Sequence, residues 1–142
     1  MKLAMVGLGK MGGRMTERLV RDGHEVVVHD LDEALTREVG SLERASPAHS
    51  LEEVVRGLRG PRVVWVMVPA GEATEQTLLA LADLVGPGDI LIDGGNSNWH
   101  DTKRRAQMLA ERKVRMLDAG TSGGVWGLEV GYCLMVGGEE EA

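Results

Sequence analysis

The sequence contains little cysteine, no long apolar run and no excess of positive charge. Its single cysteine, Cys133, cannot form an internal disulfide, which favours a reducing, cytoplasmic location. No stretch reaches the roughly 18 apolar residues of a membrane span, and the first apolar segment breaks at Gly7, too early for a signal-peptide core. The net charge of −6 disfavours nucleic-acid binding, which needs a basic surface. We therefore expect neither a membrane nor a nucleic-acid partner.

The remaining composition is typical of one folded domain. The chain has 142 residues, of which 43% are hydrophobic and 27% charged, as in ordinary globular proteins. A chain of this length buries roughly 70% of the surface that it exposes when unfolded. Glycine is in excess, with 20 residues. Because they follow no three-residue repeat, collagen is excluded and we expect the glycines at specific turns.

Short apolar runs alternate with longer amphipathic segments. The run Val26-Val27-Val28 is apolar on both faces, like strands of a parallel sheet covered on both sides. Segment 10–23 carries Met11, Met15 and Leu19 at four-residue spacing, which indicates a helix. We predict an α/β fold, a doubly wound, mostly parallel sheet with helices on both faces. The predicted strands are 2–7, 25–30, 44–46, 62–68, 89–93, 114–118 and 132–136, and the predicted helices are 10–23, 31–39, one after a capping box at Ser50, 72–85 and 98–112.

A glycine-rich motif, Gly7-Leu8-Gly9-Lys10-Met11-Gly12, follows the first predicted strand and opens the first helix. In this context G-x-G-x-x-G is typical of a Rossmann-type, dinucleotide-binding fold. The first glycine permits a tight turn, the second leaves room for a pyrophosphate and the third lets helix and strand pack closely. A bound diphosphate would also offset the unfavourable placement of Lys10 at a helix N-terminus. The alternatives are a tight turn without a ligand and a solvated Lys10.

Asp30 ends the second predicted strand, 18 residues after Gly12. An acid at this position accepts hydrogen bonds from the adenosine ribose of a dinucleotide. It would repel a 2′-phosphate at 4 Å by about 1 kcal/mol per unit charge in water and about 4 kcal/mol per unit charge at intermediate dielectric. The first following arginine is Arg37, so we predict NAD as the cofactor, with NADP less favoured. The alternative is that Asp30 caps the next helix.

Three further loops follow strands at the same predicted edge of the sheet. They are Pro69-Ala70-Gly71, Gly94-Gly95-Asn96-Ser97 and a glycine-rich loop, 120–131, that begins Gly120-Thr121-Ser122-Gly123-Gly124. Ligands of open α/β sheets lie at the carboxyl ends of the strands. We therefore expect Asn96 and Ser122 where a nicotinamide and its substrate meet. Alternatively these are turn residues, and Ser97 or Asn98 caps the next helix.

The other candidate residues form no second catalytic pattern. We interpret the four histidines as surface or strand-end residues. Cys133 is predicted to be a buried small hydrophobe, and Trp65 and Trp99 are predicted to pack in the interior. The sequence leaves the roles of Trp126 and Glu129 open.

Three runs carry a resemblance to a known family: the glycine motif, Asp93-Gly94-Gly95-Asn96-Ser97 and Ser122-Gly123-Gly124. With them, essentially the whole chain resembles the 6-phosphogluconate dehydrogenases of the β-hydroxyacid dehydrogenase superfamily. The run from Gly120 to Met135 is similar to the bacterial NAD-dependent branch. NADP-dependent members commonly have Asn-Arg after the second strand, a lysine at the position of Pro69 and two glutamates after Ser-Gly-Gly. This sequence has Asp30-Leu31 and Val125-Trp126 at the first and last of these places.

The resemblance implies oxidative decarboxylation of 6-phosphogluconate to ribulose 5-phosphate and CO2, with hydride transfer to NAD. Asn96 would contact the nicotinamide ribose and the substrate, a phosphorylated sugar acid. The run Ser122-Gly123-Gly124 would hold that sugar acid, and Val68, Pro69 and Ala70 would line the nicotinamide end. The alternatives are a 3-hydroxyisobutyrate-type dehydrogenase and a stand-alone NAD-binding regulatory module.

The resemblance also implies that the catalytic lysine and glutamate lie outside residues 1–142. We expect 1–142 to be a truncated NAD-binding domain without the helical C-terminal domain through which the full-length protein would form a homo-oligomer. We expect the chain alone to be inactive.

Overall fold

The computed structural model of the chain describes residues 1–139 and 142. In this part of the chain, strands and helices alternate. The strands are β1 (Lys2–Val6), β2 (Glu25–His29), β3 (Ala45–Pro47), β4 (Val63–Val66), β5 (Ile90–Asp93), β6 (Arg115–Ser122) and β7 (Cys133–Gly138). The helices are α1 (Lys10–Arg21), α2 (Glu33–Gly40), α3 (Leu51–Arg56), α4 (Glu72–Ala82), α5 (Trp99–Glu111) and α6 (Gly127–Val130), with a 3-10 turn over Gly124–Trp126.

The seven strands form one sheet in the order β3-β2-β1-β4-β5-β6-β7. Strands β1 to β6 are parallel, and β7 pairs antiparallel with β6. The chain proceeds outward in one direction from β1 to β3, and in the other from β4 to β7. The strand order therefore reverses between β1 and β4, where open α/β sheets bind their ligands. The predicted doubly wound, Rossmann-type fold is confirmed.

The β1 strand shows why the sequence contains continuous apolar runs. Ala4 and Val6 face a core cluster with residues of α3, α4 and α5, including Val54, Leu78 and Leu109. Leu3 and Met5 face the opposite cluster, which includes residues of α1 and α2. Because alternate side chains of a strand point to opposite faces, a strand covered on both sides must be apolar throughout.

Local capping positions three helix starts. Ser50 caps α3 by accepting from the Glu53 amide at 3.2 Å, and the Glu53 carboxylate accepts from the His49 amide at 2.8 Å. The predicted capping box is thus present, with its reciprocal bond made to His49. Asp32 caps α2 and Asn98 caps α5, each by accepting from the amide two residues later. Helix α2 therefore starts at Glu33, two residues later than predicted.

The end of the sheet differs from the prediction. Strand β6 continues to Ser122 instead of ending at residue 118, because Ala119 to Ser122 pair with Val136 to Cys133. The predicted loop 120–131 is therefore part strand, part 3-10 turn and part helix α6. Strand β7 extends to Gly138, two residues beyond the predicted end.

Three side chains predicted to be internal or left open are at the surface. All residues of β7 are exposed, so the prediction of a buried Cys133 is wrong: the strand forms the sheet edge and pairs there with β6 alone. Trp99 is 60% exposed, which contradicts its predicted packing role, since it starts a helix at the rim of the sheet. Trp126 is 72% exposed, whereas Trp65 packs against the cluster under α1. Within residues 1–139, the helices are too short or too polar to cross a bilayer.

Candidate functional site

A cleft of about 470 Å³ opens at the carboxyl ends of β2, β1 and β4. It spans the point where the strand order reverses. Five of the predicted cofactor-binding residues are among those that line it: Gly7, Gly9, Asp30, Val68 and Pro69. Sequence and structure therefore place these residues at one site.

The glycine motif forms the turn from β1 into α1. Gly7 has a φ of +95°, and a side chain there would overlap the Met67 carbonyl oxygen at the end of β4. A side chain at Gly12 would overlap the Gly7 carbonyl oxygen, so this glycine lets α1 pack directly against the turn. Gly9 differs from both, since a Cβ built there would meet no atom within 4 Å. The open space beside Gly9 is where a ligand can approach the backbone.

The first turn of α1 offers hydrogen-bond donors to that space. Gly9 is the N-cap of α1 and supplies no side-chain acceptor, and the first turn contains no acidic residue. The amides at the start of a helix have no partner within the helix and carry partial positive charge. Lys10 is exposed at the first helical position and Met11 is half-buried beside it. This arrangement suits a diphosphate, which accepts hydrogen bonds and is negatively charged.

Asp30 joins the end of β2 to the glycine motif. Its Oδ2 accepts from the Leu8 amide at 2.6 Å, and its Oδ1 accepts from the Asp32 amide at 2.8 Å. The alternative that Asp30 caps α2 is wrong, because Asp32 is the cap. Asp30 is half-buried and lines the cleft. A carboxylate has about four acceptor positions, so Asp30 retains capacity for the hydroxyl groups of a ribose.

A second loop, after β5, is organised by Asp93, which is fully buried. Its Oδ1 accepts from the Gly95 amide at 3.0 Å and its Oδ2 accepts from the Ser97 hydroxyl at 2.7 Å. Asn96 lies between these two bonds, exposed and with a φ of +55°. Of the two candidate caps for α5, Asn98 is the one used, and Ser97 serves the loop.

Sequence analysis missed Arg105, which contacts this loop from α5. Its side chain is 3% exposed and donates to the Ser97 hydroxyl at 2.9 Å, the Gly71 carbonyl at 2.9 Å and the Asp93 carboxylate at 3.3 Å. In the sequence, Arg105 belongs to a short cationic run that is typical of a solvated face. Its spacing of four from Leu109, which is also buried, was a signal that it lies on the inner face of α5.

The third loop lies at the end of β6. Ser122 is exposed, and Gly123 and Gly124 have φ values of +139° and +49° where the chain enters the 3-10 turn. Ser122 is four residues beyond Asp118, which is paired with Asp93. At about 3.3 Å per residue, this places it roughly 13 Å further along the sheet direction. Ser122 therefore lies well beyond the level at which Asp93 ends β5.

Two arginines of α1 tie the segment after this loop to the rest of the domain. Arg18 donates to the Leu128 carbonyl at 2.9 Å, and Arg21 lies 3.7 Å from the Glu129 carboxylate.

The residues that line the cleft do not include five of the predicted site residues, which are Ala70, Asn96, Ser122, Gly123 and Gly124. Of these, Ala70 is exposed beside the cleft. The cleft is thus lined by five of the predicted cofactor residues, and Leu8, Lys10, Met11 and Gly12 are also not among its lining residues. The predicted substrate residues lie outside it.

Two carboxylates meet across β5 and β6. Asp118 is paired in register with Asp93, and burial together with the charge of Asp93 raises the pKa of Asp118. Arg105 compensates the charge of Asp93 directly. At this edge of the sheet, Arg105 therefore compensates the charge of the buried Asp93, and the neighbouring Asp118 is protonated more readily than usual.

Comparison with known proteins identifies the family. Residues 2–142 match the family model described as the NAD-binding domain of 6-phosphogluconate dehydrogenase. The chain is 41% identical over 142 residues to the NAD(+)-dependent, decarboxylating 6-phosphogluconate dehydrogenase of Haloferax volcanii, and this covers 100% of the chain and 46% of that protein. The chain spans about half the length of two curated relatives that it matches, of which the Haloferax volcanii protein is one.

Two solved structures share the fold along almost the whole chain. The Plasmodium falciparum 6-phosphogluconate dehydrogenase, studied in apo form and with NADP+ or 6-phosphogluconate, has a TM-score of 0.91 at 27% identity, covering 99% of this chain and 31% of that one. The Mycobacterium tuberculosis 3-hydroxyisobutyrate dehydrogenase has a TM-score of 0.86 at 27% identity, covering 99% and 47%. The match over residues 2–142 decides the assignment: the chain belongs to the family of the NAD-binding domain of 6-phosphogluconate dehydrogenase.

Proposed function

We propose that the chain is the NAD-binding domain of an enzyme that oxidatively decarboxylates 6-phosphogluconate to ribulose 5-phosphate and CO2. The observation that supports the proposal is that Gly9 and Asp30 both line the cleft at the point where the strand order reverses. Gly9 leaves the backbone open to a diphosphate, and Asp30 offers acceptors to a ribose.

The elements of the site indicate how a dinucleotide would lie. Asp30 would accept from the adenosine ribose, and the amides after Gly9 would donate to the pyrophosphate. Val68, Pro69 and Ala70 would line the nicotinamide end, which Asn96 would approach from the loop after β5. When bound, the nicotinamide accepts a hydride, while residues of this chain bind and orient it.

Charge at the end of β2 supports NAD over NADP. The Asp30 carboxylate would lie near the 2′-position, and Leu31, 97% exposed, follows it in place of a cation. Repulsion of a 2′-phosphate by about 1 to 4 kcal/mol per unit charge favours NAD by roughly fivefold to several hundredfold. The Haloferax volcanii relative is named as NAD(+)-dependent, whereas the Plasmodium falciparum enzyme is described with NADP+.

We further propose that Asn96, Ser122, Gly123 and Gly124 contribute to holding a phosphorylated sugar acid. Ser122 is exposed and the two glycines follow it with positive φ values, so backbone and hydroxyl groups are accessible there. The proton-transfer groups would come from residues outside 1–142, in a helical domain that also forms a homo-oligomer. Residues 1–142 alone would then bind the cofactor without turnover.

A second candidate substrate is 3-hydroxyisobutyrate or a related small hydroxy acid. The structural similarity to the Mycobacterium tuberculosis 3-hydroxyisobutyrate dehydrogenase favours it. The Asp93-Gly94-Gly95-Asn96-Ser97 loop favours the phosphorylated sugar acid, because this run is one of the three that carry the resemblance to the 6-phosphogluconate dehydrogenases.

Calorimetric titration of the NADH-saturated chain tests the substrate proposal. We expect 6-phosphogluconate to bind more tightly than 3-hydroxyisobutyrate, and the variant Ser122→Ala to weaken only the sugar acid. The control variant Ser41→Ala changes an exposed serine at the end of α2 and should leave both affinities unchanged. Tighter binding of 3-hydroxyisobutyrate would favour the second candidate, and turnover of 6-phosphogluconate by 1–142 would contradict the proposed division between domains.

A further inference from the structure

One buried arginine connects the two loops that the proposed function places at the nicotinamide end. Arg105 donates from Nη2 to the carbonyl of Gly71, the last residue of the loop after β4. It donates from Nη1 to the Ser97 hydroxyl in the loop after β5. Both distances are 2.9 Å. The side chain thus spans the gap between the two loops and fixes their separation.

The same network controls the residue that projects from the second loop. The Asp93 carboxylate accepts from the residues on either side of Asn96, the Gly95 amide and the Ser97 hydroxyl. Asn96 is held between them at a φ of +55°, a region that non-glycine residues occupy at a cost. Arg105 in turn contacts Asp93 at 3.3 Å. The backbone at Asn96 is therefore set by groups that converge on Arg105.

The burial of this network argues for a geometric role. Asp93 is fully buried and Arg105 is 3% exposed. A buried ion pair adds little net stability compared with apolar residues of equal size, because both charges lose their hydration. A guanidinium, however, holds several acceptors in one fixed plane, which a lysine cannot do.

We propose that Arg105 is a positioning residue: it holds the loops after β4 and β5 together and so places Asn96 against the nicotinamide half of the dinucleotide. The inference rests on the proposed function, since it assumes that NAD lies along the cleft. The adenosine half meets Asp30 and Gly9 on the other side of β1. Loss of Arg105 should therefore affect one half of the cofactor and spare the other.

The test compares NADH with ADP, which keeps the adenosine and the diphosphate but lacks the nicotinamide and its ribose. Both are titrated calorimetrically into the wild-type chain and into Arg105→Lys. This variant keeps the positive charge but loses the planar guanidinium that donates to several acceptors at once. We expect NADH to bind about tenfold more weakly to the variant, as for the loss of one charged hydrogen bond or two neutral ones, and ADP to bind within twofold of wild type. Arg112→Lys is the matched control, since Arg112 is an exposed arginine at the end of the same helix and pairs with Asp83. It should change neither affinity.

A second variant keeps the inference testable if Arg105→Lys does not fold. Ser97→Ala leaves the Asp93–Arg105 pair in place but removes two hydrogen bonds, the one that Ser97 donates to Asp93 and the one that it accepts from Arg105. NADH should therefore bind about tenfold more weakly, with ADP binding unchanged. Equal weakening of both ligands, or no weakening of NADH, in a folded variant would overturn the inference. So would a wild-type chain that binds NADH no more tightly than ADP. If the wild-type chain bound neither ligand, the proposed function itself would fail.

Discussion

The Asp30 carboxylate accepts a hydrogen bond from the Leu8 amide at 2.6 Å, which joins the end of β2 to the glycine motif after β1. The residue that sets the charge at the proposed ribose site therefore also holds the loop at the proposed pyrophosphate site. Cofactor choice and loop geometry are coupled through one side chain. A substitution that aims only to relax cofactor choice will also act on the loop.

Two substitutions of Asp30 should separate these roles. Asp30→Asn retains an acceptor for Leu8 and removes the charge, so the preference for NAD over NADP should fall towards one. Asp30→Ala removes the acceptor as well. Since a hydrogen bond to a charged group contributes about 1.5–3 kcal/mol, NAD should bind at least tenfold more weakly to it. NADP should lose less affinity, because the repulsion by Asp30 is removed at the same time. Calorimetric titration measures both effects.

The control for Asp30 is Asp22→Asn, an exposed carboxylate at the other end of α1. It removes the same charge away from the cleft and should leave both affinities unchanged. An Asp30→Ala chain that binds NADP as tightly as wild type binds NAD would contradict the coupling between charge and loop.

Substitution by alanine should affect NAD binding at Gly9 and the stability of the fold at Gly12. A Cβ at Gly9 meets no atom within 4 Å, so Gly9→Ala should change the unfolding free energy by less than about 0.5 kcal/mol. It should nevertheless lower NAD affinity at least tenfold, because the methyl group occupies the space proposed for the pyrophosphate. Gly12→Ala overlaps the Gly7 carbonyl and should destabilise the fold by about 1–3 kcal/mol. Denaturant unfolding and NAD titration of both variants test this, and full NAD affinity in Gly9→Ala would place the pyrophosphate elsewhere.

Asp89 should make stability depend on acid pH. It is 3% exposed and accepts from the amides of Arg62 and Gly86 and from the Arg62 side chain, at 2.7, 2.8 and 2.9 Å. Burial raises the pKa of Asp89, but these hydrogen bonds outweigh it and hold the pKa below its usual range. A carboxylate with a lowered pKa stabilises the fold above its unfolded pKa of about 3.9, and that contribution is lost as pH falls through the folded pKa.

The measurement is denaturant unfolding of wild type and Asp89→Asn between pH 6 and pH 2.5. Asp89→Asn should cost about 1–3 kcal/mol at pH 6, and the difference from wild type should shrink below pH 4. Asp83→Asn, an exposed carboxylate paired with Arg112, should show no comparable change. A difference for Asp89→Asn that stays constant across this range would show that its charge does not contribute.

Local sequence pattern was sufficient for the sheet and for the glycine motif. The apolar runs of β1 and β2 and the four-residue spacing of Met11, Met15 and Leu19 depend on neighbours in sequence, as does the cap at Ser50. These were predicted because secondary-structure periodicity and capping act within one or two turns.

Contacts between distant residues could not be predicted in the same way. Arg105 bonds to Asp93 and Gly71, which lie 12 and 34 residues earlier in the chain. Its burial therefore depends on the fold that brings these residues together. Strand β6 continues to Ser122 because β7 returns beside it, although Gly120 and the glycines that follow favour a loop by composition. Cys133 is exposed because its strand is at the sheet edge, which depends on topology and not on hydrophobicity.

The most direct test of the account is a paired calorimetric titration of the chain with NAD and NADP at one salt concentration. The Asp30 carboxylate in the cleft predicts that NAD binds and that NADP binds at least tenfold more weakly, a difference of about 1.4 kcal/mol. Equal or tighter binding of NADP would contradict the assignment of Asp30 to the adenosine ribose and with it the proposed NAD dependence.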